Sequence, residues 1–205
     1  PNFKQLESEL EVYYSLLSAL KSIGLKLIFS MDYLISISAF EDVFHGNTVE
    51  VINKDIEEVC KKGDLIISLR NINLVAIIDK NKRKVKWYYG PGELDGQHAP
   101  TILENGNILI FDNGLVRGFS RVLEINPKSK EIVWQYTAKP RNEFFSKSRG
   151  VAQRLANGNT LITESDSGHV FEIMEDGEIV WEFYCPEIDR EAKTRKAIYR
   201  MNRIT

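Results

Sequence analysis

Apolar and polar positions recur along the chain in a fixed plan. The segments LVAIIDKNKRKVKWYY (74–89), RVLEINPKSKEIVWQY (121–136) and HVFEIMEDGEIVWEF (169–183) each read as a short apolar strand, a polar turn and a second strand ending in Trp and further aromatics. Trp87, Trp134 and Trp181 fall 47 residues apart each time. A second motif travels with them: LENGNILIFDNG (103–114) and LANGNTLITESDSG (155–168) share Asn-Gly-Asn ahead of an apolar run, and KKGDLIISLRNIN (61–73) is a degenerate first copy. Asn-Gly and Asp-Gly accept the positive φ angles that tight hairpins require. Each repeat therefore predicts about four antiparallel strands, a unit of the β-propeller-blade type that buries its faces only against neighbours.

The fold class expected is all-β: a propeller-like array of about three clear four-stranded blades over residues 42–205, preceded by a segment outside the repeat at 1–41. In that segment Leu6, Leu10, Tyr13, Leu17 and Leu20 recur at helical spacing, which predicts an amphipathic helix ending near Gly24. The run at 25–40 favours strands, and AIYRMNRI (197–204) reads as a further strand that completes a neighbouring sheet. Closed propellers have about four to eight blades. Three clear units leave open edges, to be covered by the N-terminal region, a second chain or further blades.

Composition narrows the function classes. The chain has 205 residues, 43% hydrophobic and 27% charged, enough apolar material for a sizeable core. A net charge of −2 gives no field to recruit nucleic acid or an anionic membrane surface. No stretch has the roughly 18 continuous apolar residues of a membrane span. No basic-then-apolar leader opens the sequence, so it leaves the compartment open and admits a processed product or a fragment. Cys60 and Cys185 match no metal or redox spacing and read as half-buried thiols. GPGELDG lacks the context of a phosphate-binding loop, and neither a metal nor any other cofactor is called for by the motifs present.

Candidate chemistry concentrates in two of only three histidines. His45 in VFHGNTVEVI and His98 in GQHAPTILENG sit ahead of strands at corresponding places in successive blades, where both imidazoles face one end of the central channel. Arg70 follows a strand of the blade that His45 opens. On the residues alone, His98 is either a turn histidine capping a carbonyl or an imidazole presented to a ligand. Arg70 marks either an anion site or an ion pair with Asp64 or Glu93. His169 reads as structural, the tryptophans as blade-to-blade packing, and FFSKSRG (144–150) as a channel-mouth or interblade loop.

These contexts resemble a family. FHGN, ISLRNIN, GPGELDGQHAPTILENGNILIFDNG, SRVLEINP, GVAQRLANGNTLI and AIYR look like the later blades of the bacterial arylsulfotransferases, over roughly residues 42–202. The resemblance implies transfer of a sulfuryl group from an aryl sulfate ester to a phenol through sulfohistidine, without a nucleotide donor. It implies His98 as nucleophile, with His45 and Arg70 binding the sulfuryl oxygens or protonating the departing phenolate, and Asn47 assisting. It also implies a periplasmic or secreted location. The sequence departs from the family pattern at three places: residues 1–41 contain no histidine to match the family's earlier His-His-Asp, Val43 replaces a usual Trp, and Ala99 stands where aspartate is common. A different class of function, a catalytically silent propeller that binds an anion, a peptide or a partner protein on its channel face, is the alternative that these departures keep open.

Overall fold

The structure, a computed structural model, describes residues 44–204. The helix expected over 3–24, the strands over 25–40 and the domain boundary at 41/42 lie outside the described residues. Twelve strands form three four-stranded antiparallel sheets, each a meander in chain order. The first blade comprises β1 (Gly46–Val51), β2 (Leu65–Leu69), β3 (Leu74–Asp79) and β4 (Lys84–Tyr89). The second comprises β5 (His98–Ile102), β6 (Ile108–Asp112), β7 (Arg121–Ile125) and β8 (Ile132–Tyr136). The third comprises β9 (Val151–Arg154), β10 (Thr160–Glu164), β11 (His169–Ile173) and β12 (Ile179–Tyr184). The first strands β1, β5 and β9 run beside one another, so each blade contributes its opening strand to the inner rim of a propeller-like array.

The turns are where the repeat predicts them. Gly63, Gly106 and Gly158 hold φ angles of 92°, 88° and 89° at the bend between each blade's first and second strands. Side chains with a Cβ rarely adopt this region, which explains why the Gly of each copy is retained in the pattern.

The middle blade is buried on both faces, and this accounts for the uninterrupted run ILIF. Ile108 and Ile110 join Ile66, Val75, Ile77, Leu123 and Ile125 in the seam with the first blade. Leu109 and Phe111 point the other way, into a seam with Ala152, Ile162 and Phe171 of the third. Phe144, from the loop before β9, fills that second seam edge-on to Phe111 at 5.5 Å and Phe171 at 5.7 Å. Each such side chain, removed from water, stabilises the seam by roughly 1.5–3 kcal/mol.

The tryptophans tie neighbouring blades. Trp87 Nε1 donates to the Pro127 carbonyl at 2.7 Å, and Trp134 Nε1 to the Glu175 carbonyl at 2.9 Å, in each case on the outer turn of the following blade. The segment expected as a strand at 197–204 is not paired into a sheet but lies along the third blade. Ile198 N–H donates to Ser165 O, and Met201 N–H to Thr163 Oγ1. Gln153 exchanges side-chain bonds with the Arg203 backbone. Arg203 pairs with Glu172 at 2.8 Å and covers the Trp181 ring, as Arg154 pairs with Glu124 at 2.8 Å and covers Trp134.

Cys60 and Cys185 are both free thiols, one buried and one half-buried. No helix among the described residues is long and apolar enough to cross a membrane.

Candidate active site

A cleft of about 480 Å³ opens at the inner rim, where the first strands of the three blades begin. Its wall includes His45, Asn47, His98, Arg149, Tyr199 and Arg200. The structure thus brings both candidate histidines and Asn47 to one cavity.

The register between blades assigns equivalent positions. Ile52, Leu103 and Leu155 each donate a backbone N–H to the residue after the turn glycine, at Asp64, Asn107 and Asn159. Five residues before each stands Asn47, His98 or Gly150. His45 is therefore not the counterpart of His98, as residue type suggested: by count from the turn it lies two positions before Asn47, and in the ladders His98 opposite Phe111 matches Thr48 opposite Ser68. Gly150 leaves the third position without a side chain, because a Cβ there would collide with the Phe111 ring.

The backbone around both histidines is unusual. His45 has φ 47° and Ala99, just after His98, has φ 48°. The β1–β2 pairing slips between Gly46 and Thr48, and the β5–β6 pairing between His98 and Thr101. Bulges and left-handed non-glycine residues re-aim side chains at the ends of strands, at a cost of about 1–3 kcal/mol each for such strained residues.

His98 is held from below. The loop 90–97 is clamped by Asp112, which is fully buried, accepts the Asp95 N–H at 2.7 Å and pairs with Arg121 at 2.8 Å and Arg117 at 3.1 Å. Buried Gln97 donates its amide to Ser68 Oγ, Leu69 O and Leu74 O of the first blade. The imidazole itself is 8% exposed, with Nδ1 3.1 Å from Gly96 O and 2.7 Å from Asn113 Oδ1. A backbone carbonyl can only accept, so Nδ1 carries the proton and Nε2 keeps its lone pair. Among the described residues Nε2 has no hydrogen-bond partner. Burial holds His98 below its ordinary pKa of 6.5, outweighing the two hydrogen bonds, and the electrostatic influence of nearby Arg70 and His45 lowers it further.

Arg70 is delivered to the same region by the backbone. Its N–H donates to His45 O at 3.0 Å and the Asn71 N–H donates to Phe44 O at 3.2 Å, locking the two segments together. Its guanidinium bonds Asn71 Oδ1 at 3.0 Å. Of the two acidic partners considered for it, Asp64 and Glu93, Asp64 pairs with Lys86 at 2.7 Å instead. Arg70 does not line the cleft itself; its charge acts on the cleft's imidazole.

Asn47 Nδ2 donates one hydrogen to Gln97 O at 2.8 Å, and Thr48 Oγ1 bridges Asn47 Oδ1 and the Ala99 N–H. In the loop 144–150, Phe144 turns into the core while Ser148, Arg149 and Gly150 reach the cleft, so the loop's aromatics do not form the mouth. Sequence reasoning missed Gln97, Asn113, Arg149, Tyr199 and Arg200. The last two lie in AIYR, which entered only as a strand and as part of the family resemblance. His169 lies apart from the cleft, between Glu164 and Glu182 and stacked on Tyr184 at 4.2 Å.

Similar chains exist among solved structures. Virginiamycin B lyase from Staphylococcus aureus is 19% identical with a TM-score of 0.47, covering 73% of this chain and 44% of that one. A protein of unknown function from Bacteroides caccae is 18% identical with a TM-score of 0.48, covering 70% and 47%. The Swd1 β-propeller domain from Myceliophteria thermophila is 11% identical with a TM-score of 0.48, covering 70% and 44%. This chain thus spans less than half the length of these structures. No curated protein matches the chain. A family model does, over residues 20–185, and it is that of the arylsulfotransferases (ASST): the chain belongs to this family.

Proposed function

We propose that the protein transfers a sulfuryl group from an aryl sulfate ester to a phenolic acceptor, with His98 Nε2 as the nucleophile. The observation that carries this reading is the geometry of His98: a buried imidazole, its pKa pushed down by that burial, with Nδ1–H engaged and the Nε2 lone pair unclaimed beside a cleft. A neutral imidazole is a competent nucleophile near pH 7.

In the first displacement the Nε2 lone pair attacks sulfur, the N–S bond forms and the bond from sulfur to the aryl oxygen breaks. The departing phenolate takes a proton from His45 in its imidazolium form. In the second, His45 removes the proton of the acceptor phenol, the phenoxide oxygen attacks sulfur, and the N–S bond breaks to return neutral His98. Arg70 opposes the charge that builds on the sulfuryl oxygens, and the second Nδ2 hydrogen of Asn47 is available to one of them.

The test is p-nitrophenol release from p-nitrophenyl sulfate with phenol as acceptor, for the protein and for His98→Asn. Release that depends on phenol and falls roughly a thousandfold or more in the variant supports the reading. A folded protein that binds the ester, leaves it intact and shows no sulfuryl adduct by intact mass overturns it in favour of a binding module.

A further inference from the structure

We propose that Asn113 is the positioning residue of His98, locking the imidazole as its Nδ1–H tautomer and tying the ring to the third blade; this role rests on the sulfuryl-transfer reading. Asn113 directly follows β6 and is fully buried. Its position in the second blade is the one that Arg70 holds in the first and Ser165 in the third, the residue after each second strand.

The orientation of the Asn113 amide is not free. Nδ2 donates to Ser146 O at 2.7 Å and to Arg149 O at 2.9 Å, which uses both of its hydrogens on groups that can only accept. Oδ1 is thereby turned to His98 Nδ1 at 2.7 Å, and an amide oxygen in turn can only accept. The proton therefore lies on Nδ1, shared with Gly96 O at 3.1 Å. The other tautomer would set a lone pair against two acceptors. Ser120 closes the arrangement: its Oγ donates to Asn113 O at 2.9 Å and accepts the Ser146 N–H at 3.0 Å.

Two consequences separate this role from simple packing. Nε2 is held as the free nitrogen irrespective of what occupies the cleft. The ring angle is fixed by carbonyls of the segment whose next residues, Arg149 and Gly150, line that same cleft. Partners that orient a reacting imidazole typically change rate by about 10- to 100-fold when removed from metal sites, and the same scale is expected here.

The experiment labels the histidines of the full chain with nitrogen-15 and reads the state of each ring nitrogen by NMR, alongside steady-state kinetics with p-nitrophenyl sulfate and phenol. The wild-type protein is expected to show a protonated Nδ1 and a pyridine-like Nε2 at His98. Asn113→Ala should mix the tautomers and lower kcat about 10- to 100-fold with KM little changed. Asn113→Asp keeps an acceptor for Nδ1–H but loses both donors to Ser146 O and Arg149 O. It should keep the tautomer and move the acid limb of the pH profile upward while kcat still falls, because the tie to segment 146–149 is broken. A wild-type His98 protonated on Nε2 overturns the proposal, as does an Asn113→Ala protein with unaltered kcat and ring signals. If the wild type leaves aryl sulfates untouched, the sulfuryl-transfer reading alone fails, and the wild-type tautomer, which needs no variant to fold, still decides the lock.

Discussion

Asn47 Nδ2 donates to the carbonyl oxygen of Gln97 at 2.8 Å, so a side chain of the first blade braces the backbone bond directly before His98. Asn47→Ala removes that brace and leaves the carbonyl only its longer bond from Ser68 Oγ at 3.3 Å. The expected result is a loss of about 1 kcal/mol of stability, read from a chemical denaturation midpoint. Turnover of p-nitrophenyl sulfate is expected to fall about tenfold, as for other orienting contacts. A variant with wild-type turnover would mean that the first blade does not set the imidazole's place.

Acidification tests the burial of His98. Its folded pKa is below the ordinary 6.5, so between the two values the unfolded chain binds more protons than the folded one. Stability contributed by this group is present above about 6.5 and is lost as the pH falls through that value towards the folded one. The acid limb of kcat/KM should accordingly lie below 6.5, since the free nitrogen persists to lower pH. Comparing denaturation midpoints of the protein and His98→Asn from pH 7.5 down to 5 checks the first expectation, and a pH–rate profile checks the second. An acid limb above 6.5 would contradict the assignment of a desolvated imidazole.

The two inter-blade tryptophan bonds should differ in weight. Trp87 is buried and its bond to Pro127 O is shielded, whereas Trp134 is half-buried and its bond to Glu175 O is exposed. Trp87→Phe is expected to cost about 2 kcal/mol through an unpaired buried carbonyl and a small void. Trp134→Phe should cost under about 1 kcal/mol, because water replaces the lost donor. Urea titrations of both variants make the comparison, and equal losses would refute it.

Asp112→Asn keeps an acceptor for the Asp95 N–H and removes the charge that Arg117 and Arg121 share. Breaking a buried pair from one side costs about 3–5 kcal/mol, and the low end applies because both arginines retain some contact with water. The thermal midpoint should drop accordingly. A small change would show that the hydrogen bond alone holds the loop before His98.

The fold was legible because its determinants are local. The Asn-Gly turns and the tryptophan period are written within each repeat, and a glycine at φ near 90° can be inferred from the turn it serves. The alternation inside ILIF was legible as apolar, but which residue faces which seam was not, since both faces are covered. Candidate residues His45, His98 and Arg70 were named from type and context, and Asn47 from the family resemblance. Their relation was misjudged at one point, because matching histidine to histidine overlooked the register that Ile52 and Leu103 set. Asn113 escaped notice for a different reason. In the sequence it belongs to a turn signal, DNG, and only the return of the segment 146–149, over thirty residues later, gives its amide something to hold.

Asn47, His98 and Gly150 stand at the same count before the first turn of their blades, near the inner rim. Were the copies identical, the rim would present the same group from every blade and have no preferred direction. Here one copy is a brace, one an imidazole with a free nitrogen and one a glycine packed on Phe111, so a repeated scaffold lines a cleft with unlike sides. Any ligand entering the cleft meets the free nitrogen of His98 from one side only, and handedness of approach follows from the copies having diverged.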